Sequence, residues 1–209
     1  IPEGEEVKFE ALPEEYSHLY LALEGTLAAV ICIEDPLREE AADVIKALKK
    51  AGISKVVMMT GDSERTAAAI AKLVGVDEYY SEVLPEDKAN FITKETEKGR
   101  KVMMIGDGIN DSPALSAASV GIAVSDGAEI AKEIADITIS AESLYEVVAL
   151  KKISNALLKR IHTNYRAIVG INSSLIVLGV AGVLAPATSA LCHNISTLLI
   201  SLKSMQNLL

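Results

Sequence analysis

Between Leu27 and Ile139 short apolar, often β-branched runs alternate with amphipathic stretches of helical period. Leu27–Ile33, Lys55–Met59, Lys101–Ile105 and Val120–Val124 predict strands, with a shorter one at Asp136–Ile139. Arg38–Lys50, Glu64–Val74, Pro85–Lys98 and Asn110–Ala117 predict the helices between them. Such alternation predicts an α/β fold, a Rossmann-like parallel sheet with helices on both faces. Each strand passes to its helix through a polar turn: Glu34-Asp35-Pro36, Thr60-Gly61-Asp62 and Gly106-Asp107-Gly108. Ligands of open α/β sheets bind at the carboxyl ends of the strands, so these turns are the first candidates for chemistry. Residues 1–26 break the rhythm, end in a strand near Leu19–Leu23, and read as the tail of a neighbouring domain.

The last third has a different pattern. A helical stretch from Leu144 to His162 leads into 36 residues between Arg166 and Lys203 that hold no Asp, Glu, Lys or Arg. One helix of that length would measure roughly 54 Å, against a hydrocarbon core about 30 Å thick. With Pro186 near the middle, two membrane passes are expected, Ala167–Ala185 and Ala187–Leu202, with Gly170, Gly179 and Gly182 allowing close helix contact. Lys151, Lys152, Lys159, Arg160 and Arg166 precede this hairpin and Lys203 follows it, which puts both ends in the cytoplasm. A pair of buried helices in a larger soluble core is the competing expectation. The chain thus divides into 1–26, a domain over 27–143, a connecting helix over 144–166, and a membrane hairpin over 167–209.

Charge sharpens this division. Residues 1–150 hold all 29 acids and 14 of the 20 bases, whereas 151–209 hold six bases and no acid. An acidic soluble part joined to an acid-free apolar part implies an integral membrane protein with lipid as a partner, and argues against nucleic acid, which requires a basic globular surface. Cys32, in a run that reads as a buried strand, and Cys192 are too far apart to indicate a disulfide framework. Both read as inert thiols, and His18 and His162 as surface residues. Ile1-Pro2 reads as the interior of a longer polypeptide, whose N-terminal part would be this chain's partner.

Three segments carry candidate chemistry. Met104-Ile105-Gly106-Asp107-Gly108-Ile109-Asn110-Asp111 is a strand, an acidic turn flanked by glycines, and a helix start. Two carboxylates four residues apart at a strand end suit Mg²⁺, which takes one or two protein carboxylates and completes its octahedron with water and phosphate oxygens. Asp107 would be the direct ligand, with Asp111 and Asn110 supporting the turn and the metal's waters. In Thr60-Gly61-Asp62 a hydroxyl and backbone N–H groups at a helix start suit a phosphate oxygen, although Asp62 could instead be a plain N-cap. Lys88, in the first turn of the helix opened by Pro85, sits at the positive end of a helix dipole. A nearby anion, a phosphoryl group, would resolve that conflict; a solvated surface lysine is the alternative.

In this order and spacing the three segments resemble the later motifs of the haloacid dehalogenase superfamily. Thr60-Gly61-Asp62 with Gly106-Asp107-Gly108-Ile109-Asn110-Asp111 is similar to the P-type cation-transporting ATPases of the heavy-metal class, as is Asp35-Pro36-Leu37-Arg38. The resemblance implies that ATP phosphorylates an aspartate in an Asp-Lys-Thr-Gly-Thr motif. It further implies that Thr60 and Lys88 hold the phosphoryl group, that Asp107 binds Mg²⁺, and that Asn110 and Asp111 support both. No Asp-Lys-Thr-Gly-Thr occurs in these 209 residues, so the chain alone is expected to be inactive. Residues 1–26 would be a remnant of the nucleotide-binding domain, and 27–143 a phosphorylation domain facing the cytoplasm, most naturally at the plasma membrane.

The resemblance also frames the apolar end. Two helices after the phosphorylation domain are similar to the heavy-metal class, and Cys192-His193-Asn194-Ile195-Ser196-Thr197 resembles the last helix of divalent-metal pumps. Asn194 stands where an acid, and Ile195 where a glycine, would be expected. Cys192, His193, Asn194 and Ser196 are candidate ligands for a transported transition metal of the zinc, cadmium or cobalt kind. Met205, Asn164-Tyr165 and Asn172-Ser173-Ser174 leave copper open, and an interhelical hydrogen bond is the alternative role for His193. Two further readings are a soluble phosphatase of the same superfamily, for which Asp35 is the available nucleophile, and a non-catalytic, membrane-tethered binding module.

Overall fold

A computed structural model describes residues 16–24, 26–33, 37–106, 110–124, 133–140 and 142–208. The expectations placed on Asp35, Pro36, Asp107 and Gly108 lie outside the described residues. The chain divides into two compact units, residues 1–148 and 149–209.

In the first unit, β1 (Ser17–Leu23) and β2 (Thr26–Ile33) form an antiparallel hairpin in which Leu19 faces Ile31 and Ser17 faces Ile33. This corrects the assignment of 27–33 to a buried parallel strand. Leu19, Leu21, Ile31 and Ile33 are exposed, and so is Cys32. An eight-residue apolar run has the same pattern whether its strand is covered or open, so the sequence did not distinguish the two.

Helix α1 (Ala41–Lys50) buries Val44 and Leu48, one turn apart. It starts three residues later than the apolar period implied, because Glu40 reaches out of its N-terminus to Ser143 Oγ at 3.1 Å and the Leu144 backbone N–H. Strand β3 (Val57–Met59) leads into α2 (Glu64–Val74), where the Ser63 hydroxyl accepts from the Thr66 N–H and Gly75 ends the helix at φ 76. Next comes β4 (Glu78–Tyr80), a strand the hydrophobic pattern did not announce, pairing in parallel with β3. Helix α3 (Pro85–Glu97), β5 (Met103–Gly106), α4 (Ser112–Ala117), β6 (Val120–Val124) and β7 (Ile137–Ile139) follow.

Strands β5, β6 and β7 form a parallel sheet in that order. Among the described residues the parallel strands thus form two ladders, β3–β4 and β5–β6–β7, where a single sheet was expected; β3 has only three residues, and their ladder partner is β4. Ile92 of α3, Leu115 of α4, Ile122 of β6 and Val147 are the largest fully buried side chains of the core.

Helix α5 (Tyr145–Val180) is continuous over 36 residues, joining the expected connecting helix to the first expected apolar pass. It ends at Val180 instead of Ala185, because Gly182 turns the chain at φ 72 and the Val183 and Leu184 N–H groups close on Leu178 O. Pro186 opens α6 (Pro186–Ser204), where a missing N–H costs nothing. Within the second unit the two helices are antiparallel partners. Asn164 Nδ2 donates to Ser204 Oγ at 2.6 Å, Asn172 meets His193, and the Arg160 guanidinium donates to the carbonyls of Ser204, Gln206 and Asn207. A Cβ at Gly170, Gly179 or Gly182 would meet nothing within 4 Å, so these glycines do not make the close helix contact expected of them. Among the described residues no helix is long and apolar enough to cross a membrane. Asn164, Asn172, Ser173 and Ser174 in α5, and His193 and Asn194 in α6, dilute the apolar stretches.

Candidate functional site

The first motif turn is held rigidly. Thr60 N–H donates to Tyr80 O at 3.0 Å, Val83 N–H to Thr60 O at 2.9 Å and Glu82 N–H to Asp62 O at 2.9 Å, so the 60–62 backbone is bonded along the segment that leaves β4. Within the turn Thr60 Oγ1 donates to Asp62 Oδ2 at 2.6 Å, and the Asp62 N–H donates back to Thr60 Oγ1 at 3.1 Å. Asp62 is therefore not the N-cap of α2; Ser63 is. Gly61 is exposed, and a Cβ there would lie 3.9 Å from Val83 O.

The 80–83 segment is itself anchored. Glu64, in the first turn of α2, accepts from Ser81 Oγ at 2.5 Å and Tyr79 Oη at 2.7 Å. These two bonds, the serine's first, hold the Glu64 carboxyl below its ordinary value, and the same contact raises the Tyr79 phenol.

Lys88 and Asp111 form the second half. Leu84 leads from the anchored segment into α3, and in that helix's first turn the Lys88 ammonium donates to Asp111 Oδ1 at 2.8 Å. Their side chains are 16% and 10% exposed, so this is a largely buried pair. Asp111 thus gives Lys88 an anionic partner within the protein, and Lys88 is not a solvated surface lysine.

Asp111 comes this close to β5 because residue 106 is glycine. A Cβ on Gly106 would lie 2.6 Å from Asp111 Oδ2 and 2.7 Å from Asp111 Cβ. Sequence reasoning gave Gly106 only the role of flanking a turn. The available signal was a glycine at the last position of a strand, which marks close approach of another group. Asn110 is exposed in the turn before Asp111, and Asp107 lies outside the described residues.

Thr60, Lys88 and Asp111 therefore belong to consecutive, mutually bonded segments: the Thr60 turn binds 82–83, that segment enters α3, and α3 reaches Asp111 at the end of β5. The donor set is one hydroxyl, one ammonium and hard carboxylate oxygen, which suits a phosphoryl group and Mg²⁺ and does not suit a soft metal. Since Lys88 occupies Asp111 Oδ1, Asp111 fits a supporting role toward Mg²⁺ better than that of a full ligand.

In the second unit His193 Nδ1 lies 2.9 Å from Asn172 Oδ1, the interhelical bond anticipated as the alternative to metal ligation. Asn172 is the residue that sequence reasoning missed as its partner; an amide within an apolar helix was the signal. Ser196 Oγ and Thr197 Oγ1 both donate to His193 O, at 2.8 and 3.0 Å. Cys192 and Asn194 are exposed and lie roughly 200° apart around α6, so they do not share a face. Among the described residues no three His, Cys, Asp or Glu side chains gather to hold a metal ion.

Comparisons with known proteins agree with the family resemblance. Residues 3–119 match the family described as haloacid dehalogenase-like hydrolase. The chain is 37% identical over 180 residues to a zinc-exporting P-type ATPase of Mycobacterium marinum, covering 86% of this chain and 25% of that protein. It is 46% identical over 175 residues to copper-transporting ATPase 2 of Rhizobium meliloti, covering 84% and 21%. A crystal structure of a zinc-transporting PIB-type ATPase in its E2·Pi state superposes with a TM-score of 0.78 at 31% identity, covering 93% of this chain and 32% of that one. The chain thus spans about a quarter of the length of these curated relatives. It belongs to the haloacid dehalogenase-like hydrolase family, and its relatives there are heavy-metal P-type ATPases.

Proposed function

We propose that this chain provides part of the phosphoryl site, and a pair of membrane helices, of an ATP-driven heavy-metal pump. The observation that carries the reading is the largely buried Lys88–Asp111 pair at 2.8 Å, linked through the start of α3 to the Thr60 turn. Phosphoryl transfer needs positioned positive charge and donors more than covalent chemistry from the protein, and this is what the segments offer. The Lys88 ammonium and the Thr60 hydroxyl hold the phosphoryl oxygens. The Gly61 and Asp62 backbone keeps Thr60 in place, and Asn110 borders the same turn as Asp111. Mg²⁺, when bound, neutralises charge on the phosphoryl group, with Asp107 as its ligand and Asp111 in support.

The nucleophile belongs to another segment of a longer polypeptide, since no Asp-Lys-Thr-Gly-Thr is present here, and the chain alone does not hydrolyse ATP. The β1–β2 hairpin is paired across the 26/27 boundary that the sequence suggested and is not divided there; the chain from α1 to residue 143 belongs with the phosphorylation domain and 144–166 with a connecting helix. We also assign the α5–α6 hairpin to the membrane, as a pair whose polar groups meet each other, since neither helix is apolar enough to cross alone. Three features support this last reading: the absence of acid after residue 150, exposed apolar residues such as Ile176, Val177, Val180 and Leu198, and inward pairing of polar groups, Asn172 with His193 and Asn164 with Ser204. Both ends face the cytoplasm, most naturally at the plasma membrane. The cargo is a transition metal, with the divalent zinc, cadmium and cobalt kind first and copper second. His193 with Asn172 is the polar position nearest its path, and Cys192, Asn194 and Ser196 line the same helix.

Phosphorylation by γ-labelled ATP in the longer polypeptide tests the site. Lys88→Ala is expected to abolish most metal-stimulated phosphoenzyme, whereas Lys94→Ala, in the same helix, is expected to leave it at wild-type level. Equal phosphorylation of all three proteins would remove Lys88 from the site.

A further inference from the structure

Thr60 and Asp62 are bound to each other twice, and the direction of the bonds matters. A threonine hydroxyl has one hydrogen and two acceptor positions. In this turn the hydrogen points at Asp62 Oδ2 over 2.6 Å, while one acceptor position takes the Asp62 N–H at 3.1 Å. The bond to the carboxylate is charge-assisted and correspondingly strong. What Thr60 presents outward is therefore lone-pair density, which repels a phosphoryl oxygen.

The backbone cannot swing to change this, because Thr60 N–H, Thr60 O and Asp62 O are each bonded to the 80–83 segment at 2.9–3.0 Å. The hydroxyl rotor is the free element. It has two arrangements, one with the hydrogen on Asp62 and one with the hydrogen on an incoming anion.

We propose that Asp62 is a positioning residue that withholds the Thr60 hydroxyl hydrogen from the phosphoryl site until an anion draws it away, and so keeps released phosphate from being held tightly. This rests on the phosphoryl site proposed above. Binding of a phosphoryl oxygen must break the Thr60–Asp62 bond and leave a carboxylate near a second negative group, so Asp62 weakens the site for free anion. A residue that only supported the fold would act in the opposite sense: its loss would weaken anion binding along with everything else.

The test is orthovanadate inhibition of metal-stimulated ATP hydrolysis by the longer polypeptide. Asp62→Asn keeps the shape and removes the charge, and is expected to lower the half-inhibitory vanadate concentration by about threefold to tenfold. Asp62→Ser, a smaller polar replacement, is expected to move it the same way, which guards against a folding defect in either variant. Thr60→Ser keeps the rotor and is expected to stay within about twofold of wild type, whereas Thr60→Val raises the concentration by about tenfold. With Thr60→Val in place, Asp62→Asn is expected to gain less than it does alone, since no hydrogen remains to release. Unchanged or weaker inhibition in both Asp62 variants overturns the proposal. Thr60→Val without effect overturns the phosphoryl-site reading instead, so the two failures are distinguishable.

Discussion

Replacing Gly106 by alanine adds one methyl group at the most crowded glycine of the candidate site. The new Cβ would lie 2.6 Å from Asp111 Oδ2, 2.7 Å from Asp111 Cβ and 2.9 Å from Asp111 Cγ, where ordinary contact begins at 3.4 Å. Asp111 would have to retreat by the difference, 0.8 Å at its oxygen, and it is poorly able to. Its carbonyl accepts from Leu115 N–H at 2.8 Å at the start of α4, its carboxylate is held by Lys88 at 2.8 Å, and the residue is 7% exposed. Overpacking of this kind costs about 1–3 kcal/mol. Partial loss of the Lys88 contact brings the expectation to about 3 kcal/mol. For a chain of this size that corresponds to a fall of about 6–12 °C in the unfolding temperature.

Scanning calorimetry of the 209-residue chain, read on the transition of the first unit, measures it. Gly61→Ala is the matched control. Its Cβ would meet only Val83 O at 3.9 Å, so a change within about 0.5 kcal/mol is expected. If Gly106→Ala unfolds together with Gly61→Ala, the close approach of Asp111 to β5 is wrong.

Three further outcomes are expected. Lys88→Met leaves the Asp111 carboxylate buried without its ammonium and should destabilise the first unit by about 3 kcal/mol in urea unfolding, with Asp111→Asn restoring part of it; no loss in Lys88→Met would contradict a buried pair. Glu95 is buried near the end of α3, and hydrogen bonds from Lys98 first and Arg100 second hold its carboxyl below the ordinary 4.5. The unfolded chain then binds the extra proton, so this stabilisation is complete above about pH 4.5 and is lost as pH falls through the lowered value; Glu95→Gln should flatten that acid limb of a stability–pH curve. In detergent or bilayer, a double-mutant cycle on Asn172→Leu and His193→Ala should return a coupling of about 1 kcal/mol, and a value of zero would dissolve the rung between α5 and α6.

The parts of the fold legible in the sequence were those with local signals. Ser63 and Gly75 bracket α2, Pro85 opens α3, and the β-branched run at 120–124 is a strand as read. Strand β4 was illegible because Glu78-Tyr79-Tyr80 has neither alternation nor an apolar run; it exists by pairing with β3. The continuity of α5 was hidden because Lys159, Arg160 and Arg166 looked like a boundary, although arginine and lysine are good helix formers. The motif turns were readable because glycine, acid and hydroxyl residues have few structural reasons to cluster at strand ends. Their connections were not: Lys88 and Asp111 are 23 residues apart, Asn172 and His193 are 21 apart, and only the packing of one helix against another brings each pair together.

Solving the longer polypeptide with Mg²⁺ and beryllium fluoride, a phosphoryl mimic, would show whether Thr60, Lys88 and Asp111 border one phosphoryl group as proposed. The Thr60 hydroxyl and the Lys88 ammonium are expected within hydrogen-bond reach of the fluorides, with Asp107 on the magnesium ion and Asp111 beside it. A bound fluoride complex with Thr60 still closed on Asp62 and Lys88 directed elsewhere would contradict the proposal.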